Sequence, residues 1–119
     1  MKNLLLSSSD VVVTGAIWIE HQDGSERFLG KGRIQLLELI IDHGSISKAA
    51  KAMNMSYKRA WDLINSMNLN VLKPFVITQT GGKSGGGAVV TPEGIQAIEE
   101  YKALQNRFQA FLLQENQQL

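Results

Sequence analysis

Residues 44–68, with the sequence GSISKAAKAMNMSYKRAWDLINSMN, decide the fold. The stretch opens on a glycine, which can end a preceding helix, and Ser47 is placed to cap a short helix over Lys48–Met53. After a tight turn, Ser56 is placed to cap a longer helix from Tyr57 to about Asn68. The stretch therefore predicts two helices joined by a tight turn.

The longer of these two helices has an apolar face and a polar face. Ala60, Ile64 and Met67 recur at the spacing that places side chains on one side of a helix, so we expect them to be buried. The opposite face carries Lys58, Arg59, Asp62, Asn65 and Ser66. Trp61 lies beside the apolar stripe and is predicted mainly to pack, whereas Tyr57 could lie at its edge.

Upstream of this stretch, the pattern changes from strands to a helix. Val11–Ile19 is rich in β-branched residues and predicts a strand, Asp23-Gly24 is typical of a hairpin turn, and Ser25–Leu29 could return as a second strand. Apolar residues at helical spacing then predict an amphipathic helix from Arg33 to His43.

Downstream, a second hairpin and a long helix are predicted. Phe75–Thr78 and Ala88–Val90 have the composition of strands and flank a glycine-rich loop. Thr91 is placed to cap a last helix, with proline at its first position, and this helix is expected to continue to about Leu113. The glutamine-rich end at 114–119 is predicted to fray.

The order of these elements predicts a mainly α fold with a small β component, namely a winged helix-turn-helix with an N-terminal hairpin and a long C-terminal dimerisation helix. We divide the chain into an N-terminal β-hairpin extension (1–29), a winged helix-turn-helix core (30–90, with the wing at about 75–90) and a C-terminal dimerisation helix with a frayed end (91–119). The last helix is too apolar for a solvent-exposed terminal helix, so we expect it to be covered by the domain itself, by a second chain, or by both. Its predicted dimerisation residues are Ile95, Ile98, Tyr101, Leu104, Phe108, Phe111 and Leu112.

Charge is unevenly distributed, although the formal net charge is only +1. Residues 30–90 carry eight basic and three acidic side chains, whereas 1–29 and 91–119 each carry two basic and four acidic ones. The predicted two-helix unit therefore lies in the basic part of the chain, which favours a polyanionic partner. The same counts also fit charges scattered by chance over a surface.

Composition disfavours several other classes of protein. The chain has no cysteine, which excludes a disulfide framework, a zinc–thiolate site and a cysteine nucleophile. His21 and His43 stand apart from other potential ligands, so we expect no metal and no cofactor. No nucleophile–base pair or pair of carboxylates stands out, so we do not expect an enzyme. No stretch approaches the ~20 apolar residues of a membrane helix, and we expect a cytoplasmic protein without a membrane partner.

A helix-turn-helix places its second helix in the major groove of DNA, with the first residues of that helix facing the bases. This placement predicts that Ser56, Tyr57, Lys58, Arg59 and Asn65 read or position bases. The phosphate contacts are predicted at Ser47, Lys48, Lys83 and Ser84. Two alternatives without DNA contacts stay open: these helix residues could form an ordinary solvent-exposed face, and the glycine-rich loop could be a flexible surface loop. The loop TGGKSGGG at 80–87 is not a nucleotide-binding P-loop, because Ile77 stands where that motif requires glycine.

Taken together, these strings resemble the DNA-binding domain of the ModE family, the molybdate-responsive transcriptional regulators, and more distantly the helix-turn-helix of LysR-type regulators. The residues that carry the resemblance are Gly44 to Ser47, Ala49-Ala50, Met55 to Lys58, Ala60 to Asp62, Asn65, Met67-Asn68, Gly81 to Lys83, Gly85 to Val89, Thr91 and Gly94. The most specific part is the string SYKRAWD at 56–62 together with the glycine wing. The resemblance extends over about residues 30–115.

The resemblance implies a homodimer that binds a palindromic site on double-stranded DNA and regulates transcription. Family members with a sensing role carry C-terminal molybdate-binding domains; this sequence ends at Leu119, so we expect no direct molybdate binding by this chain. The N-terminal hairpin also departs from the helical start expected of the family. A second hypothesis stays open, in which the winged helix is a protein-interaction module without sequence-specific DNA binding, and its affinity would then ignore salt.

Overall fold

The computed structural model describes residues 1–7, 10–79 and 87–119. The strands are β1 (Ile19–Glu20), β2 (Arg27–Leu29), β3 (Val76–Gln79) and β4 (Gly87–Val90). The helices are α1 (Lys31–His43), α2 (Ile46–Ala52), α3 (Tyr57–Leu69) and α4 (Pro92–Gln117), with a short 3-10 turn at Lys2–Leu4. The predicted class is confirmed: a mainly α fold with a small β component, an N-terminal hairpin and a long C-terminal helix.

The core lies where α1, α2 and α3 meet. Its largest fully buried side chains are Leu36, Leu37, Ile40, Ile64 and Met67. The small side chains of Ala49 and Ala50 are also buried, which lets α2 approach its neighbours closely. α1 ends at Gly44, whose φ of +65° is in the left-handed region and whose amide donates to the Ile40 carbonyl at 2.7 Å. The chain can therefore reverse directly from α1 into α2.

The start of α2 differs from the prediction. The cap is Ser45, whose Oγ accepts a hydrogen bond from the Lys48 amide at 3.2 Å, and Ser47 lies inside the first turn of the helix. Both serines are chemically suited to capping, so local sequence does not choose between them. The helix starts at Ile46, two residues before the predicted start, and the Ile46 side chain is buried in the core.

α3 follows the prediction closely. Ser56 caps it, with Oγ accepting from the Arg59 amide at 3.0 Å. Ala60, Ile64 and Met67 are buried as expected. The turn before the helix places Asn54 at a φ of +55°, a left-handed conformation that asparagine tolerates better than most residues.

The second hairpin is attached to the end of α3. β3 and β4 pair antiparallel, with Val76 opposite Val90 and Gln79 opposite Gly87. Asn68 fixes the entry to β3, because its Oδ1 accepts from the Phe75 amide at 2.8 Å and its Nδ2 donates to the Val76 carbonyl at 3.0 Å. The second hairpin is therefore held to the last turns of α3 by the Asn68 side chain. The glycine loop at 80–86 lies outside the described residues.

The strand predicted at Val11–Ile19 is wrong, since only Ile19 of that run is in a strand. β1 is limited to two residues because β2, its only partner in the described sheet, is itself short. The preceding segment is instead tied to α4 by side chains. The Val13 amide donates to Asn116 Oδ1 at 2.5 Å, and the Tyr101 hydroxyl donates to the Ile17 carbonyl at 3.0 Å.

α4 runs to Gln117, which is four residues beyond the predicted end near Leu113. Its length is about 39 Å at 1.5 Å per residue. Thr91 caps it as predicted, with Oγ1 accepting from the Gly94 amide at 3.1 Å. Asn116 joins the far end of the helix to the N-terminal segment through two hydrogen bonds with Val13. Among the described helices, none is both long and apolar enough to cross a membrane.

Candidate nucleic-acid interface

α3 has three distinct sides, which helical spacing separates. The first is the buried stripe described above. The second, termed the outer face, consists of Lys58, Asp62 and Asn65, and all three side chains are exposed. The third, termed the hairpin side, consists of Arg59, Leu63, Ser66 and Asn70 and lies towards the N-terminal hairpin. The polar residues predicted to share one face are thus divided between two sides of the helix.

The outer face carries one internal ion pair. Lys58 Nζ lies 3.1 Å from Asp62 Oδ2, one turn along the helix, and the Lys58 side chain is 86% exposed. Such exposed pairs contribute little to stability, so breaking this one costs little free energy. The two side chains can therefore turn to an external partner. Lysine can donate to guanine acceptors, and a carboxylate can accept from the cytosine amino group.

At the start of α3, two aromatic rings pack against each other. Tyr57 and Trp61 are edge to face, with ring centroids 6.3 Å apart and planes at 82°, and Trp61 Nε1 donates to the Tyr57 hydroxyl. Trp61 is half-buried against the core, in line with its predicted packing role, whereas Tyr57 is exposed. The aromatic pair therefore connects the core to the surface at the point where α3 begins.

A groove of about 290 Å³ adjoins this aromatic pair. It lies between the start of α2, the start of α3 and the second hairpin, and Ser47, Tyr57, Trp61 and Gln79 are among the residues that line it. Ser47 and the neighbouring Lys48 are both exposed. The predicted phosphate-contact residue Ser47 and the predicted base-contact residue Tyr57 thus line the same groove.

Some predicted site residues are placed elsewhere. Ser56 uses its hydroxyl oxygen as the helix cap, although the surface around it is exposed. Arg59 lies on the hairpin side, beside Met53 and Met55, and so is separated from Lys58 and Asn65. Lys83 and Ser84 lie outside the described residues.

Sequence reasoning missed a polar network that fixes the orientation of α3. Arg33 Nη1 donates to Ser66 Oγ at 2.6 Å and to the Phe28 carbonyl at 3.2 Å. Glu26 accepts from Ser66 Oγ and, at 3.1 Å, from Asn70 Nδ2. The partners in the bonds between side chains are separated by 33 to 44 positions in the chain, so no local pattern could have found them.

The network shifts the acid–base equilibria of its two charged members. Hydrogen bonds from Ser66 and Asn70 to the carboxylate hold the pKa of Glu26 below its ordinary value. Burial lowers the pKa of Arg33, an effect that the Glu26 charge opposes and the Arg59 charge reinforces. His21 also belongs to the network, since its Nε2 hydrogen-bonds to the Asn70 side chain.

The predicted dimerisation residues of α4 are also divided. Ile98, Tyr101 and Leu112 are buried within the chain itself, Leu104 is half-buried, and Ile95 is exposed.

Two exposed apolar side chains of α4 lie near its end. Phe108 and Phe111 stack with ring centroids 6.4 Å apart, and Phe111 and Leu113 are exposed. The apolar surface open to another chain is therefore concentrated in this part of the helix.

Comparison with known proteins finds relatives over about two thirds of this chain. The chain is 43% identical over 84 residues to the molybdenum transport protein ModE of Azotobacter vinelandii, covering 71% of this chain and 31% of the relative. It is 48% identical over 77 residues to the DNA-binding transcriptional dual regulator ModE of Escherichia coli K12, covering 65% and 29%. Over this segment the chain is similar to ModE proteins. The molybdenum-pterin-binding protein MopB of Rhodobacter capsulatus is 46% identical over 77 residues, covering 65% and 28%.

The ModE resemblance found from the residues is thereby confirmed, although no protein-family model matches the chain. The matched segment spans about three-tenths of the length of these ModE relatives. The relatives in Escherichia coli and Haemophilus influenzae are named transcriptional regulators.

Proposed function

We propose that the chain is a sequence-specific double-stranded DNA-binding protein that acts as a homodimer in the cytoplasm to regulate transcription and has no catalytic activity. The observation that carries this proposal is the outer face of α3. Lys58, Asp62 and Asn65 are exposed on a helix whose capped start adjoins α2 and the second hairpin. This is the arrangement in which a winged helix-turn-helix presents its second helix to the major groove.

The chemistry of the outer face suits base recognition. Lysine, asparagine and a carboxylate together can address guanine, adenine and cytosine edges in the major groove. Lys48, exposed on α2, supplies positive charge for a flanking phosphate. The name of the Escherichia coli relative, a DNA-binding transcriptional regulator, supports the same assignment.

A homodimer fits both the apolar surface of α4 and the expected form of the operator. Phe111 and Leu113 expose apolar area that a second copy could cover. Two α3 helices in successive major grooves would lie roughly 34 Å apart on a palindromic site.

The test is selection from a pool of random duplexes, followed by titration of the selected duplex and a shuffled control at about 50 and about 200 mM salt. We expect a palindromic site that binds at least about 1,000-fold more tightly than the shuffled duplex, with affinity falling steeply as salt rises. Enrichment of no sequence, together with binding that is indifferent to salt, would contradict the proposal and favour a protein partner.

A further inference from the structure

A cleft of about 400 Å³ lies on the hairpin side of α3. Its walls come from the segment before β1, from β2 and the start of α1, and from the turn between α2 and α3. Four cationic side chains line it: Arg27, Lys31, Arg33 and Arg59. Within the described part of the chain, no carboxylate side chain is among the lining residues.

The positive charge of this cleft is only partly neutralised. Glu20 pairs with Arg27 at 3.1 Å, and Glu26 lies near Arg33 through the polar network of α3. Lys31 and Arg59 have no ion pair among the described residues, and Arg59 is close enough to Arg33 for their like charges to repel. An anion bound in the cleft near Arg59 and Arg33 would reduce the repulsion between these two side chains.

The start of α1 adds to the attraction for an anion. Its cap is Gly30, which supplies no side-chain hydrogen bond, and its first turn contains no acidic residue. The first amides of a helix carry partial positive charge and need acceptors. Gly30, Lys31 and Gly32 all line the cleft, so this uncapped end lies at its wall.

The remaining wall of the cleft is apolar and contains an aromatic ring. Trp18 is 50% exposed, and its ring lies so close to Gly30 that a Cβ on Gly30 would come within 2.8 Å of it. The guanidinium of Arg27 lies 4.2 Å from the centre of the Trp18 ring, which helps to hold the ring in place. Met53 and Met55 complete the apolar lining with flexible side chains that adapt to a bound group.

We propose that this cleft binds a small aromatic phosphate, with the phosphate between Lys31, Arg59 and the start of α1, and the ring against Trp18. The cleft volume is within the range of about 300–1,000 Å³ that small-molecule sites occupy. A DNA backbone phosphate offers the same charge but no ring for the apolar wall. The site goes beyond the proposed function, since it requires no DNA.

The test is calorimetric titration of the whole chain with 1-naphthyl phosphate, in the absence of DNA. We expect saturable one-to-one binding. Inorganic phosphate, which lacks the ring, and 1-naphthol, which lacks the charge, should each bind at least tenfold more weakly. Absence of saturable binding by 1-naphthyl phosphate would overturn the proposal, and the DNA-binding proposal would be unaffected by that result.

Substitutions of the cleft cations test whether 1-naphthyl phosphate binds in this cleft. Arg59→Gln and Lys31→Gln should each weaken 1-naphthyl phosphate binding at least fivefold, because each removes one cation from the proposed phosphate position. Arg107→Gln is the matched control, since Arg107 is exposed on α4 and does not line the cleft. Unchanged binding in both cleft variants, or an equal loss in the control, would overturn the assignment.

A separate titration of DNA with Arg27→Gln distinguishes the two sources of phosphate. If this variant lowers DNA affinity and its salt dependence while 1-naphthyl phosphate fails to bind, the cleft contacts the DNA backbone and the small-molecule proposal is overturned.

Discussion

The outer face and the hairpin side of α3 differ in the origin of their hydrogen-bonding and ion-pair partners. On the outer face, the charged group nearest to Lys58 is Asp62 of the same helix. On the hairpin side, Ser66 and Asn70 bond to Glu26 and Arg33, which come from other elements. The outer face is therefore open to an external partner, whereas the hairpin side fixes the direction in which that face points.

The largest effect should come from the buried stripe, because packing of this stripe positions both the outer face and the hairpin side. Met67→Ala removes a fully buried side chain and should lower the free energy of unfolding by about 2–5 kcal/mol. Leu69→Ala is the matched control, because Leu69 is 85% exposed and its loss should change stability by less than about 0.5 kcal/mol. Urea denaturation measures both. Equal losses in the two variants would mean that the stripe is assigned to the wrong side of the helix.

The next effect should separate the two sides by function. Lys58→Ala should weaken binding to the selected operator by about 1–3 kcal/mol with little change in stability. Lys102→Ala, which removes an exposed lysine paired with Glu38 away from α3, should leave operator affinity unchanged.

Because Lys58→Ala also leaves Asp62 unpaired, the double variant Lys58→Ala/Asp62→Ala is needed to separate a lost contact from new repulsion. If the double variant binds the operator as tightly as Asp62→Ala alone, Lys58 makes no contact of its own with the bases.

The hairpin side should show the reverse pattern. Ser66→Ala removes the hydroxyl that bonds to both Arg33 and Glu26 and should lower the free energy of unfolding by about 1 kcal/mol. Operator affinity, measured well below the unfolding transition, should change less than it does for Lys58→Ala. A Ser66→Ala protein with normal stability but strongly reduced operator affinity would place Ser66 in the DNA interface instead.

The smallest effect concerns pH. The pKa of Glu26 is lower in the folded protein because Ser66 and Asn70 donate to its carboxylate. Its stabilising contribution is therefore present above the pKa of the unfolded state and is lost as the pH falls through the lower pKa of the folded state.

Glu26→Gln should accordingly show a flatter decline of stability in acid than the unchanged protein. Glu99→Gln, a change at an exposed carboxylate of α4, should not. Stability is measured by thermal unfolding at a series of acidic pH values. If it declines equally in the unchanged protein and in Glu26→Gln, the hydrogen bonds of Glu26 do not contribute to stability.

Local sequence predicted the elements whose partners are near in the chain. The apolar spacing in α3 and the caps Ser56 and Thr91 depend on neighbouring residues, and all are as expected. The site was harder to predict. Helical spacing fixes the side of α3 on which Arg59 lies, but what this side faces depends on where the N-terminal hairpin packs. The same limit applies to the segment at 11–18, whose β-branched composition favours a strand but which pairs with side chains of α4 instead.

The paired hydrogen bonds between Val13 and Asn116 join positions 103 residues apart. During synthesis the N-terminal segment leaves the ribosome early, yet it cannot dock until nearly all of α4 has been made. The helix-turn-helix, built from contacts close in sequence, can form first, since closing a long loop carries a larger entropic cost. The segment around Val13 would then dock on α4 last, after the helix-turn-helix has folded.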